Sequence, residues 1–202
     1  MYRMALIVLL AMLFMPAPAP AGDLAALAAG CDDCHGPNGQ STHADVPIIA
    51  GQSERLIGKA LDQFADYWRP CSKTAYRHGD TGRPETSMCE ISAALSAEDR
   101  QALSAHYAGQ PFVPAVQAFD EAKAVTGAGL YGMYCATCHP AGGAEIGYAG
   151  RLAGQWQAYL RTSIAQIAAG EWMVPKPMER KMSSLSEEEI DALVNYFASH
   201  QD

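Results

Sequence analysis

The 202-residue chain has one long apolar run and no second. Met4 to Met15 is continuously apolar. No later stretch approaches the roughly 20 residues that a helix needs to cross a bilayer. Lys/Arg-rich blocks are also missing. With 14 basic against 22 acidic residues the formal net charge is −8, which argues against nucleic acid as a partner. No region alternates apolar and polar residues with period two, so essentially no sheet is expected. No acid/base or nucleophile constellation stands out either, so bond-making chemistry by the chain alone is not expected.

Hydrophobic residues make up 49% of the chain, enough for a packed core. The N-terminus has the layout of a secretory signal. Arg3 supplies a positive n-region, Met4 to Met15 the apolar region, and Ala17-Pro18-Ala19-Pro20-Ala21 a small-residue end with a cut after Ala21. A membrane anchor is the competing reading, and twelve apolar residues are short for it. The expectation is a signal peptide over 1–21 and a mature periplasmic protein. Its six cysteines, Cys31, Cys34, Cys71, Cys89, Cys135 and Cys138, then meet an oxidising compartment.

The chain contains one unit twice. Cys31-Asp32-Asp33-Cys34-His35 recurs as Cys135-Ala136-Thr137-Cys138-His139, displaced by 104. Ala50-Gly51-Gln52 recurs as Ala153-Gly154-Gln155, displaced by 103. Met88, Leu95, Ser96, Leu103 and Ala108 recur as Met178, Leu185, Ser186, Leu193 and Ala198, displaced by 90. The fall from 103 to 90 places 13 extra residues in the first unit, in the turn-rich stretch around Cys71 to Arg83. Gly109 to Pro114 carries two prolines and reads as an extended connector. The domains are therefore drawn as 22–110 and 119–202, with a linker at 111–118.

Each unit reads as helical. Leu24 to Ala29 and Phe119 to Tyr134 lead into the cysteine motifs, and Ser53 to Trp68 and Trp156 to Ala169 follow the Ala-Gly-Gln blocks. Ser186 with Glu189, and Ser96 with Asp99, mark the closing helices as capping boxes.

Cys-x-x-Cys-His is the attachment signature of c-type haem. Two thiols three positions apart can each bond a vinyl group on one porphyrin edge, and the adjacent His is held beneath the iron. Cys31 and Cys34 would hold one haem with His35 on its iron, and Cys135 and Cys138 a second with His139. Three alternatives compete: a thioredoxin-like dithiol, which would sit near a βαβ pattern; a zinc site made from both pairs; and simple disulfides, which are sterically poor at this spacing in a helix.

Met/His ligation suits electron transfer. Met88 is the one methionine of the mature first unit before the linker. In the second unit Met178 stands seven residues before Leu185, as Met88 stands before Leu95. Met182 would break that register, Met133 lies too close to its own motif, and Met173 reads as packing or haem-edge contact. His43 and His78 are alternative sixth ligands for the first iron and otherwise read as solvated loop histidines. Cys71 and Cys89 are left over and read as a disulfide closing the inserted stretch, with a regulatory thiol as the alternative. Trp68, Trp156 and Trp172 serve either packing or an electron path.

Both units resemble class I cytochrome c domains, so the implied fold is all-α, two tandem helical domains each around one covalent haem. The duplication resembles the cytochrome c4 family. The second half is also similar to the dihaem subunit of flavocytochrome c sulfide dehydrogenase, through Tyr134 to His139 with Gly142-Gly143, Leu152-Ala153-Gly154-Gln155-Trp156, and Pro177-Met178-Glu179-Arg180-Lys181-Met182. That resemblance implies a partner flavoprotein carrying FAD that oxidises sulfide, with this chain receiving the electrons. A free dihaem shuttle to a terminal oxidase is the alternative. The insertion and the Cys71/Cys89 pair depart from the flavocytochrome pattern.

Overall fold

The computed structural model describes residues 23–144 and 149–202; the expected signal segment and its cut after Ala21 lie outside the described residues. Two sets of four helices follow one another. The first set is α1 (Leu24–His35), α2 (Glu54–Ala65), α3 (Met88–Ala94) and α4 (Ala97–Ala108). The second is α5 (Glu121–Tyr134), α6 (Gln157–Ala168), α7 (Lys176–Met182) and α8 (Glu187–Ala198). Among the described residues no strand forms, and an isolated antiparallel bridge joins Thr74 and Thr86. No described helix is long and apolar enough to cross a membrane.

Side-chain caps start most of these helices. Ser96 with Asp99 and Ser186 with Glu189 form the two expected capping boxes. A third, Ser87 with Glu90, starts α3 at Met88. Each such cap stabilises its helix by about 1 kcal/mol. Two boundaries differ from the sequence reading. Helix α1 continues past Ala29 through both cysteines to His35. Helix α2 ends at Ala65, short of Trp68, because Tyr67 enters the left-handed region at φ 59°.

Each repeat has its own core. Ala28, Ile57, Leu61, Leu103 and Tyr107 fill the first. Leu130, Tyr131, Leu160, Ile190, Leu193 and Phe197 fill the second. In the second, α5 and α8 approach so closely at Gly127 that a Cβ there would lie 2.1 Å from the Ala192 carbonyl oxygen. The matching position in the first repeat is Asp23, the N-cap of α1, so no glycine stands at that point there.

The repeats meet through the Ala-Gly-Gln blocks. Gln155, 1% exposed, accepts from the Ile48 N–H (3.1 Å) and donates to the Ile48 carbonyl (2.6 Å). Reciprocally, Gln52 accepts from the Arg151 N–H at 3.0 Å. Ile48 and Arg151 are equivalent positions, as are Gln52 and Gln155. The junction is therefore self-complementary, like an isologous dimer interface folded into one chain. Gly51 (φ 63°) and Gly154 (φ 76°) turn the backbone there, and a Cβ on either would run into Phe112 of the connector, at 2.8 and 3.1 Å. The connector is extended, as its prolines require, yet it is not a loose tether. Its Ala115 N–H bonds the Gly154 carbonyl at 2.8 Å, and Gln117 bonds the Gln155 carbonyl at 2.8 Å. Away from the connector, Trp156 donates to the Ser41 carbonyl (3.0 Å) and Arg69 stacks 3.9 Å over Trp172. These contacts place both indoles in the packing between repeats.

Candidate haem sites

The last turn of α1 carries the first pentapeptide. Cys31 and Cys34 are free thiols there, and Cys34 and His35 are buried. His35 Nδ1 lies 3.0 Å from the Pro47 carbonyl. A proton on Nδ1 donates to that oxygen and leaves Nε2 as the coordinating nitrogen, the usual way a metal-binding imidazole is oriented. Burial pushes the His35 pKa down, which favours the neutral ring that a metal requires.

The second pentapeptide follows α5 as a turn rather than as helix. Cys135 caps α5, and the His139 N–H bonds the Cys135 carbonyl at 2.9 Å, preserving helical spacing. His139 Nδ1 lies 3.4 Å from the Gly150 carbonyl, and burial pushes its pKa down as well. Gly150 is the counterpart of Pro47, displaced by 103. The same backbone oxygen thus orients the same ring nitrogen in both repeats.

The donor set fits covalent haem c. In each repeat two unpaired thiols stand beside one imidazole whose Nδ1 faces a backbone carbonyl. Competing chemistries fit less well. Burial pushes the Cys31 thiol up to about 11 and raises Cys34 and Cys135, whereas a dithiol redox centre works through a lowered thiol pKa. Among the described residues no group of three or more His, Cys, Asp or Glu is arranged to hold a metal, so the two cysteine pairs do not assemble a zinc site.

The methionines stand differently in the two repeats. Met88 is half-buried at the first position of α3 and packs on the same core as Cys31 and Ala28. Met178, third residue of α7, is half-buried and is not among the described side chains packed on the second core. Met182 is half-buried, while Met133 and Met173 are exposed.

Sequence reasoning missed several supports. Tyr107 donates its hydroxyl proton to Asp32 at 2.8 Å, tying α4 to the first pentapeptide. The same carboxylate accepts from the Asn38 and Gly39 amides. The second repeat has Phe197 and Ala136 at these positions and instead uses the Tyr131 hydroxyl, which donates to the His139 carbonyl. Only the paired change, Tyr with Asp against Phe with Ala, could have shown this in the sequence.

The inserted stretch docks on the first site. Cys71 and Cys89 are joined as a disulfide with Cα atoms 5.5 Å apart. The Arg77 and His78 amides both donate to the Asp33 carbonyl at 2.8 Å, and Arg83 pairs with the Asp33 carboxylate. His43 and His78 are consequently not solvated loop histidines. They are half-buried and pack edge to face, centroids 5.5 Å apart, because the docked loop brings His78 down onto His43. Opening the disulfide with Cys71→Ser/Cys89→Ser should cost about 3 kcal/mol, since the bridge closes a loop of 18 residues in the unfolded chain. Urea unfolding of the oxidised protein and the variant measures this difference.

Comparison with known proteins agrees with this geometry. A family model described as Cytochrome c matches residues 124–201. Cytochrome c4 of Azotobacter vinelandii is 30% identical over 195 residues, covering 87% of this chain and 88% of that protein. The crystal structure of reduced recombinant cytochrome c4 from Pseudomonas stutzeri superposes with a TM-score of 0.68 at 26% identity, over 88% of this chain and 98% of that one. The Acidithiobacillus ferrooxidans cytochrome c4 structure matches with a TM-score of 0.69 at 23% identity, over 85% and 99%. By fold, by site and by this identity along most of its length, the chain belongs to the cytochrome c4 family and is an electron-transfer cytochrome of the haem c type.

Proposed function

We propose that this protein is an exported dihaem carrier that works as a free shuttle between redox proteins. One haem c is held by Cys31, Cys34, His35 and Met88, and the other by Cys135, Cys138, His139 and Met178. The dihaem part rests on the equivalence of the two imidazoles, each beside a thiol pair and each aimed by the matching carbonyl, Pro47 or Gly150, and the shuttle part is supported by similarity to cytochrome c4 along most of the chain.

Haem iron supplies reversible one-electron chemistry. The chain would hold one iron through His35 and Met88 and the other through His139 and Met178, with His35 buried and His139 half-buried. A Met/His pair raises the potential, as suits a carrier. The Pro47 and Gly150 carbonyls occupy Nδ1 of each ring and leave Nε2 for the iron.

A second reading makes the chain the cytochrome subunit of a sulfide-oxidising flavocytochrome with an FAD partner. It is supported by the sequence resemblance over Leu152 to Trp156 and Pro177 to Met182. Purification from the periplasm with flavin analysis separates the two readings. A shuttle elutes alone and flavin-free; a subunit elutes with stoichiometric FAD. Ligation is tested by Met88→Ala and Met178→Ala. Each should abolish the methionine-to-iron charge-transfer band of one haem and let carbon monoxide bind that haem when reduced. Unchanged spectra in either variant would remove that methionine from the ligand set.

A further inference from the structure

The second cysteines of the two motifs are not equally accessible, although Cys31 and Cys135 are both half-buried. A haem bonded at these thiols would carry one edge at the cysteine sulfur, so cover over that sulfur would cover that edge. In the first repeat the second cysteine, Cys34, is 7% exposed. The inserted loop lies on its neighbour Asp33, held by the Arg77 and His78 amides and by Arg83. Arg77 reaches on to Asp45 at 2.5 Å, and the Cys71–Cys89 disulfide pins the loop base to buried Cys89. The second repeat has no such insertion, and Cys138 is exposed.

The surface beside the open edge is also different in kind. Met133 and Tyr134, just before Cys135, are 67% and 42% exposed. Lys181 of α7 lies 3.8 Å over the Tyr134 ring, and its charge reaches Cys135. Lys176 and Arg180 share α7 with it, against the single acid Glu179. Lys176 is paired with Glu179 at 2.7 Å, so Arg180 and Lys181 are the cations that α7 leaves beside this apolar spot, on a chain whose net charge is −8. At the first site the counterparts of Ala136 and Thr137 are Asp32 and Asp33.

We infer that the inserted loop seals the first haem edge, and that the protein exchanges electrons with its partner through the second edge, docking an acidic redox protein against Met133, Tyr134, Arg180 and Lys181. This rests on the dihaem reading above. One electron crosses per encounter, the second haem's iron and the partner's redox centre changing oxidation state by one in opposite senses. Charge complementarity selects the partner: a carboxylate-lined face is attracted by Arg180 and Lys181 and repelled by the remaining acidic surface.

The test uses the holoprotein with anionic hexacyanometallates as probes. Redox-inert hexacyanocobaltate(III), titrated against the isotope-labelled protein, should shift amide resonances of Tyr134, Arg180 and Lys181 and leave Arg77 to Arg83 unmoved. Oxidation of the reduced protein by ferricyanide should slow about tenfold in Arg180→Glu/Lys181→Glu at low ionic strength, the difference fading as salt screens it. Charge reversal on the loop, Lys73→Glu, should change that rate less than twofold. Shifts centred on Arg77 to Arg83, or a Lys73→Glu effect as large as the α7 effect, would overturn the inference with the haem reading intact. A holoprotein preparation without a Soret band would overturn the haem reading itself.

Discussion

Gly127→Ala should cost the second repeat about 5 kcal/mol. The added Cβ would lie 2.1 Å from the Ala192 carbonyl oxygen and 2.6 Å from its carbon. Overpacking usually costs about 1–3 kcal/mol because side chains can shift. Here the obstacle is the backbone of α8, whose residues Ala192, Leu193 and Val194 are themselves buried, so α8 cannot retreat without opening the core. The control lies on the same helix. Gly129 has nothing within 4 Å of a built Cβ, and Gly129→Ala should stabilise by about 1 kcal/mol through helix propensity alone. Urea unfolding of both variants measures the contrast. Equal midpoints for the two would show that α5 and α8 do not cross at Gly127.

Gln155→Ala should cost about 4 kcal/mol and loosen the repeats from one another. The side chain bonds both the N–H and the carbonyl of Ile48, a residue 1% exposed, and truncation leaves two buried backbone groups without partners. Each orphaned group costs about 2 kcal/mol. Gln52→Ala removes the reciprocal contact, where one bond to the Arg151 amide is at stake, and should cost less than half as much. Thermal unfolding should show Gln155→Ala below Gln52→Ala. The reverse order would mean that the junction does not depend on the buried amide.

Much of this architecture is legible in the sequence because duplication writes each position twice. The offsets 104, 103 and 90 align the pentapeptides, the Ala-Gly-Gln blocks and the closing helices, and they locate the insertion. The capping boxes at Ser96 and Ser186 can be read from local spacing, since a cap is a contact over three residues. What a contact does across the fold is harder to read. Ala-Gly-Gln is visible as a repeated string, but its meaning lies in Phe112, distant in sequence, which fills the space a Cβ would need at both glycines. The docking of the loop on Asp33 is hidden for the same reason. It uses backbone amides of Arg77 and His78, and amides leave no mark in the residue pattern. Helix α1 runs through the cysteines although Asp32 and Asp33 interrupt its apolar pattern. Tertiary bonds from Tyr107 and Arg83 to those two carboxylates override the local signal.

The insertion gives the duplicated sites different surroundings on a common frame. The frame is the imidazole aimed by a backbone carbonyl, the thiol pair one turn away and the half-buried methionine downstream. Differences sit outside it: Tyr107 with Asp32 against Phe197 with Ala136, and a disulfide-anchored loop against open surface. Two haems held on this frame as proposed, and unlike in cover, would differ in potential.

The intact mass of the purified, exported protein tests the central claim most directly. The account predicts the mass of the chain with its leader removed plus two covalently bound haem groups, together with a Soret band. A mass showing no added porphyrin, or one haem alone, would contradict it.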